Sequence, residues 1–94
     1  MIFYKQRYYA MNFTYKTMGT CSQKIDIEID GTTVKNVKFT GGCAGNLQGI
    51  ASLVKGMEIG EVIDRLSGIR CGFKPTSCPD QLARALAEIQ KNHL

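Results

Sequence analysis

Four cysteines carry the most distinctive chemistry of this chain: Cys21, Cys43, Cys71 and Cys78. Thiolates bind soft metal ions such as zinc and iron, and they are also the nucleophiles of thiol–disulfide exchange. Their spacing, C-x21-C-x27-C-x6-C, differs from the paired C-x2-C knuckles of zinc fingers. Spacing alone is therefore a weak signal, and a shared site has to be argued from where the cysteines fall in the predicted fold.

The cellular compartment decides how these thiols are interpreted. The first residues, MIFYKQRYYA, lack the apolar core of a signal peptide, and no run of 18 apolar residues could span a bilayer. We therefore expect a cytoplasmic protein with no membrane segment, a setting in which structural disulfides are rare. Each cysteine taken singly could equally be an ordinary small buried hydrophobe.

Length and charge narrow the function classes. The 94 residues form one domain with a thin core, which a metal, a disulfide or a partner would help to stabilise. The net charge is +4, but residues 11–94 carry ten basic against eight acidic side chains. We find no clustered basic face and so no strong nucleic-acid signal. We interpret residues 1–11 as a poorly ordered N-terminal extension and residues 12–94 as the domain.

Catalysis by the chain alone is not expected. His93 is the single histidine and lies at the C-terminal end, which argues against general acid–base chemistry. Radical chemistry requires a large barrel and a cofactor pocket, for which this chain is too short.

The first half of the chain predicts strands. Residues 12–18 place Phe13, Tyr15 and Thr17 on one side, and residues 24–30 alternate strictly between isoleucine and charged side chains. The Asp-Gly pair at residues 30–31 is a hairpin turn signal, and residues 33–39 return as a third strand. This pattern predicts a three-stranded antiparallel meander.

The second half switches to a helical period. Apolar residues recur at i, i+3, i+4 and i+7 in three segments. The first contains Leu47, Ile50, Ala51, Val54 and Met57, the second Ile59, Val62, Ile63, Leu66 and Ile69, and the third Leu82, Ala85, Leu86 and Ile89. Strands followed by helices predict an α+β fold in which about three helices cover one face of the sheet.

All four cysteines then fall in loops or at helix ends, beside small residues. Cys21 lies between two strands, Cys71 in a Gly-rich turn, and Cys43 and Cys78 near predicted helix N-termini. Free N–H groups at a helix N-terminus favour the thiolate form, and Arg70 and Lys74 add positive charge nearby. Pro79 suits the first turn, which places Cys78 at or beside the N-cap and Gln81 where a capping-box partner belongs. Shared loop positions favour one metal site over four separate packed thiols.

A family resemblance supports this interpretation. The chain resembles the TSCPD domain family from about residue 15 to residue 89, in the segments YKTMGTCSQ, VKNVKFTGGCAGNLQGIASLVKGM and GIRCGFKPTSCPDQLARAL. That domain is known as the C-terminal module of cobalamin-dependent ribonucleoside-diphosphate reductases and as short stand-alone proteins, which this chain resembles. The resemblance implies a role accessory to ribonucleotide reduction.

The chain is also distantly similar to U-type iron–sulfur cluster scaffold proteins in its order of strands, cysteines and helices. That resemblance implies a similar fold, with Cys21, Cys43 and Cys78 holding a cluster or zinc. Gln23 stands where those proteins carry an aspartate, and Ser77 stands where they often carry histidine. Cys71 offers a fourth thiolate in compensation, which favours a closed, stable site over one that delivers its cargo.

Three hypotheses follow from these patterns. The first is a module that binds zinc or an iron–sulfur cluster on four thiolates and serves a protein partner, either a ribonucleotide reductase or a cluster-assembly protein. The second is a thiol–disulfide relay between Cys71 and Cys78 associated with a ribonucleoside-diphosphate reductase. The third is an interaction domain with packed thiols. The metal, the partner and the presence of a homo-oligomer are left open by the sequence.

Overall fold

A computed structural model describes residues 10–20, 22–42 and 44–93 of the protein. Within these ranges the chain forms three strands followed by three helices. The elements are β1 (Ala10–Lys16), β2 (Ser22–Asp30), β3 (Thr33–Gly41), α1 (Ala44–Val54), α2 (Ile59–Leu66) and α3 (Cys78–His93). The predicted α+β class, with an antiparallel meander followed by helices, is confirmed. β1 begins at Ala10, and the division at residues 11 and 12 stays a prediction.

The sheet has the order β1-β2-β3, with antiparallel pairing throughout. Phe13 pairs with Ile27, which pairs in turn with Val37, so one row of apolar side chains crosses all three strands. Ile25, Ile27 and Ile29 are almost fully buried, as their strict alternation predicts. The charged residues between them face away from this core.

A register shift in the β2–β3 pair explains how β3 buries two valines three positions apart. Val34 and Val37 would lie on opposite faces of a regular strand. Glu28 pairs with Asn36 while Ile29 pairs with Val34, which leaves Lys35 as an extra residue between them. This bulge turns both valines toward the core, where each is buried.

The helices cover the apolar face of the sheet. Val54 of α1, Val62 of α2 and Leu82, Leu86 and Ile89 of α3 join the strand residues in one hydrophobic cluster. α3 also reaches β1, since the rings of Phe13 and His93 lie 4.9 Å apart. Among the described residues, none of the helices has both the length and the apolar composition that crossing a membrane requires.

The end of α2 differs from the sequence pattern. The periodicity extends to Ile69, but α2 stops at Leu66, and Gly68 adopts a φ of +85°. Ile69 consequently lies in the loop before α3 and is 41% exposed, so its prediction as part of the second helix is wrong. Ser67 leaves the helical conformation with a ψ of 134°, and Gly68 takes the left-handed position of the turn that follows, so the helix ends before the apolar period does.

Candidate functional site

The strand order brings two cysteine-bearing connections to the same end of the sheet. Ser22, at the start of β2, pairs with Gly41, at the end of β3. The β1–β2 and β3–α1 loops therefore leave the sheet side by side. Cys21 and Cys43, the predicted ligands in these loops, lie outside the described residues. Their described neighbours still show where the loops run.

Gly42 marks a close approach between these two loops. Its φ is +79°, and a Cβ at this position would lie 2.9 Å from Leu47 Cδ1 and 3.3 Å from the Ser22 nitrogen. Real Cβ atoms essentially never approach a heavy atom within 3.0 Å, so this site accommodates glycine alone without rearrangement. The β3–α1 loop is thus packed directly against the start of β2.

Helix α3 begins at the same end, and Ser77 is its N-cap. The Ser77 hydroxyl accepts a hydrogen bond from the Asp80 N–H at 3.1 Å, and the Ser77 carbonyl accepts the first intrahelical bond from the Gln81 N–H at 2.8 Å. The same hydroxyl donates to the carbonyl of Ile69 at 2.6 Å. Cys78 is therefore the first helical residue, beside the N-cap, which is one of the two positions that the sequence predicts for it, and Pro79 is the second helical residue.

A buried carboxylate organises the loop that leads into α3. Asp80 is 4% exposed, and it accepts hydrogen bonds from the Thr76 hydroxyl and, at 2.7 Å, from the Gly68 N–H. The Arg84 guanidinium lies 2.9 Å away. Burial raises the pKa of Asp80, but the two hydrogen bonds and the charge of Arg84 outweigh it, so the pKa lies below its ordinary value. Asp80 is thus ionised at neutral pH and fixes both ends of the loop.

Gln81 ties the β1–β2 loop to this helix start. Its side-chain amide donates to Thr76 Oγ1 at 3.0 Å, while its carbonyl oxygen accepts from the Met18 N–H at 3.1 Å. Gly19 lies beside Thr76, since a Cβ on this glycine would be 3.2 Å from Thr76 Cγ2. The predicted role of Gln81 as a capping-box partner is wrong, because its side chain points to another loop instead.

Cys78 faces the start of β2. It is 8% exposed, and its Sγ donates to Ser22 Oγ at 3.2 Å. Ser22 is itself buried and lies within hydrogen-bond distance of Thr20, with 3.0 Å between the two hydroxyls. The chain neighbours of Cys21 on both sides are therefore connected to the Cys78 thiol through hydroxyl groups.

Cys71 lies across from Cys78 in the α2–α3 loop and is exposed. Its N–H donates to the Thr76 carbonyl at 3.2 Å, and its carbonyl accepts from the Lys74 N–H at 3.1 Å. These two bonds fold residues 71–76 into a defined turn. The thiol is consequently held near the start of α3 but remains accessible to solvent.

Both thiols line one cavity of about 390 Å³. The β1–β2 loop, the α2–α3 loop, α1 and the first turn of α3 contribute to its wall, which consists of Thr20, Asn46, Leu47, Ile50, Cys71, Lys74, Ser77, Cys78 and Pro79. Lys74 is the charged member of this described lining. The cavity therefore combines two cysteines, a cation and apolar side chains.

Comparison with known families decides the classification. A family model described as the TSCPD domain matches residues 4–90 of the chain. The protein belongs to the TSCPD domain family. No curated protein and no solved structure matches it.

In this TSCPD domain, the motif from which the family takes its name is residues 76–80, and its residues have separate structural roles. Ser77 caps α3, Asp80 anchors the preceding loop through Thr76 and Gly68, and Cys78 and Pro79 form the first helical turn beside the cavity. Four of the five side chains are buried, and Pro79 is half-buried. The motif thus places one thiol at the cavity with little freedom to move.

The described residues of the TSCPD domain contain two of the four predicted ligands, and their role in metal binding stays a prediction. Cys71 and Cys78 lie at one cavity, whereas Cys21 and Cys43 lie outside the described ranges. In residues 10–20, 22–42 and 44–93 no group of three or more His, Cys, Asp or Glu side chains is placed to hold a metal ion. Sequence reasoning missed Ser22 and Asn46 as site residues. Their short distances along the chain from Cys21 and Cys43 were the available signal.

Proposed function

We propose that this TSCPD domain is a metal-binding module in which Cys21, Cys43, Cys71 and Cys78 hold one zinc ion or one iron–sulfur cluster. The observation that carries the proposal is the shared cavity of Cys71 and Cys78, whose wall includes Thr20, next to Cys21, and Asn46, three residues after Cys43. Thiolates are the preferred protein ligands of zinc in structural sites and of iron–sulfur clusters. When bound, the metal would supply a rigid cross-link between three loops.

The neighbours of Cys21 and Cys43 support a four-ligand set. Thr20 lines the cavity and Ser22 contacts the Cys78 thiol, so the chain approaches Cys78 on both sides of Cys21. Before Cys43, Gly42 packs on Ser22, and three residues after Cys43, Asn46 lines the cavity. Consecutive Cα atoms are separated by about 3.8 Å, which limits how far an intervening residue can depart.

The side chains around the cavity in the described residues suit a metal ion or cluster that is held by thiolates. Two cysteines line a cavity that also has the apolar side chains Leu47, Ile50 and Pro79 in its wall. The positive end of α3 and Lys74 offset the negative charge that thiolates bring. The Cys78 sulfur already lies within hydrogen-bond distance of Ser22 Oγ, an interaction that orients ligating sulfurs in metal sites.

The proposed setting is the cytoplasm, where thiols stay reduced and available as ligands. By its family, the module would serve a ribonucleotide reductase, and by its distant likeness to scaffold proteins, a cluster-assembly protein. We place the chain as an accessory of such a partner and not as an enzyme itself.

Metal analysis of anaerobically purified protein, together with its absorption spectrum, tests the proposal. We expect about one site per chain, with each of the four Cys→Ser variants losing most of the metal because a tetrathiolate site tolerates a missing ligand poorly. Ser52→Ala, on the exposed side of α1, serves as the matched control and should keep the metal. Full metal content in both Cys21→Ser and Cys43→Ser, or metal-free wild-type protein, would refute the four-ligand site.

A thiol relay is the second candidate, favoured by the contrast between an exposed and a buried thiol at one cavity. The Cys71 thiolate would attack a partner disulfide, release one partner thiolate and form a mixed disulfide. Cys78 would then attack the Cys71 sulfur and release the second partner thiolate, leaving the partner reduced and Cys71–Cys78 oxidised. Peptide mapping after mild oxidation should show this disulfide, whereas two alkylatable thiols would count against the relay.

A further inference from the structure

The exposed large apolar side chains of the described residues are unevenly distributed. They are Met18, Leu53, Ile69 and Phe73. Single exposed hydrophobes are normal, but three of these four lie in the loops that border the cysteine cavity. Met18 precedes Thr20 in the β1–β2 loop, and Ile69 and Phe73 flank Cys71 at a distance of two residues. Phe73 is fully exposed.

Hydrogen bonds fix the backbones of these loops, although the apolar side chains that the loops carry are exposed. The Met18 N–H is bonded to Gln81, and the Ile69 carbonyl accepts from Ser77, so both backbones are attached to the first turn of α3. Phe73 lies inside the turn closed by the bond from the Lys74 N–H to the Cys71 carbonyl. An apolar side chain presented on a fixed turn loses little conformational entropy when a partner covers it.

The exposed charged side chains of the α2–α3 loop have one sign, since the carboxylate of Asp80 is buried. Arg70 and Lys74 are exposed, and residues 67–79 contain no Asp or Glu. The loop segments 17–23 and 41–49 carry no charged residue at all. The described surface around Phe73 is therefore apolar with a positive border, which is complementary to an apolar pocket bordered by carboxylates.

We propose that Met18, Ile69, Phe73, Arg70 and Lys74 form a docking surface for a partner protein that presents an apolar pocket bordered by acidic side chains. Phe73 is the anchor that enters the pocket, and Arg70 and Lys74 pair with the carboxylates at its border. The inference rests on the proposed function in one respect, since it names the class of partner that reaches the thiol site. Docking itself does not require a bound metal.

A partner protein fits these features better than a membrane or a nucleic acid. Lipid-binding surfaces typically use clusters of about four to eight Lys or Arg, whereas this surface has two. Single-stranded nucleic acids are bound along a basic groove with several stacking aromatics, and Phe73 is the aromatic residue of this described surface. One aromatic anchor with a charged border is the usual arrangement of a protein interface hot spot.

Site-specific photo-crosslinking in the native host tests the docking surface. The full chain carries the photoreactive residue p-benzoylphenylalanine in place of Phe73 or, as the matched control, in place of Leu53, which is 77% exposed on α1. We expect a protein adduct from position 73 and none of the same mass from position 53. The crosslinked peptide, identified by mass spectrometry, should contain Asp or Glu next to apolar residues.

Binding measurements with the identified partner complete the test. Phe73→Ala should weaken binding by about tenfold or more, and Leu53→Ala by less than about twofold. Lys74→Glu should also weaken it, and an acidic-to-lysine change beside the crosslinked position should restore it. Three results would overturn the proposal. One is that position 73 gives no adduct, or the same adduct as position 53. The others are an adduct with a second copy of the chain, and binding to anionic vesicles that Phe73→Ala abolishes. The metal content of the wild-type protein is measured in parallel, because metal-free protein with intact docking would refute only the proposed function.

Discussion

Replacing Asp80 tests the idea that this carboxylate, and not the surface around it, fixes the loop that holds Cys71. Asp80→Ala removes the acceptor of two hydrogen bonds, from the Thr76 hydroxyl and the Gly68 N–H. Hydrogen bonds to a charged group contribute about 1.5–3 kcal/mol each. We expect the free energy of unfolding to fall by about 3–5 kcal/mol, a large share of the ~5–15 kcal/mol typical of a domain.

Arg84 provides the comparison that makes this prediction specific. Its guanidinium lies 2.9 Å from Asp80, but its side chain is 55% exposed, so the ion pair is worth about 0–1 kcal/mol. Arg84→Ala should therefore cost far less than Asp80→Ala. Asp80→Asn keeps the side-chain shape but presents an N–H group to one of the two donors. We expect its cost in the free energy of unfolding to lie between those of Arg84→Ala and Asp80→Ala.

The pH dependence follows from the direction of the pKa shift. Because the pKa of Asp80 is lower in the folded than in the unfolded chain, the unfolded chain takes up the proton first as the pH falls. The contribution of Asp80 is complete above its ordinary pKa, near 3.9, and is lost as the pH falls through the lower folded-state value. Asp80→Asn should reduce the change in the free energy of unfolding with pH in this range.

Urea unfolding followed by circular dichroism, at several pH values between about 3 and 7, measures all three variants. If Asp80→Ala leaves no folded protein, Asp80→Asn still reports the cost. The reasoning is refuted if Arg84→Ala destabilises the protein as much as Asp80→Ala, or if Asp80→Asn costs less than about 0.5 kcal/mol.

The remaining predictions concern the backbone of the site and are also read from urea unfolding. Gly42→Ala should cost about 1–3 kcal/mol more than the matched Gly31→Ala, because both glycines have positive φ but only position 42 meets Leu47 and Ser22. Equal costs would show that the loops do not pack as described. Ser77→Ala should cost about 1–2 kcal/mol through loss of the α3 cap and of the bond to the Ile69 carbonyl, and Ser77→Thr, which keeps the hydroxyl, should recover part of it; no recovery would argue against a capping role.

Much of the fold could be predicted from the sequence because its signals are local. The alternation of Ile25, Ile27 and Ile29 and the helical period of Leu82 and Leu86 each reflect one repeat along the chain. The bulge that buries Val34 and Val37 together could not be predicted, since β3 alone does not reveal its register against β2.

The candidate site, like the fold, was predictable from the sequence only in part. The positions of Cys71 in a loop and of Cys78 near a helix start followed from the breaks in periodicity, and both residues line one cavity. The sequence placed Cys78 at or beside the N-cap of α3, and only the hydrogen bonds of Ser77 distinguish these two positions.

The sequence by itself determined the α+β class, the order of elements and the placement of thiols at their ends, since these depend on residue type and spacing. Tertiary structure alone decided that Asp80 is a buried anchor, that Gln81 joins the β1–β2 loop to α3, and that Ser22 contacts Cys78. Those contacts join residues 12, 63 and 56 positions apart. A hydrogen bond depends on distance in space, which the order of residues along the chain does not specify.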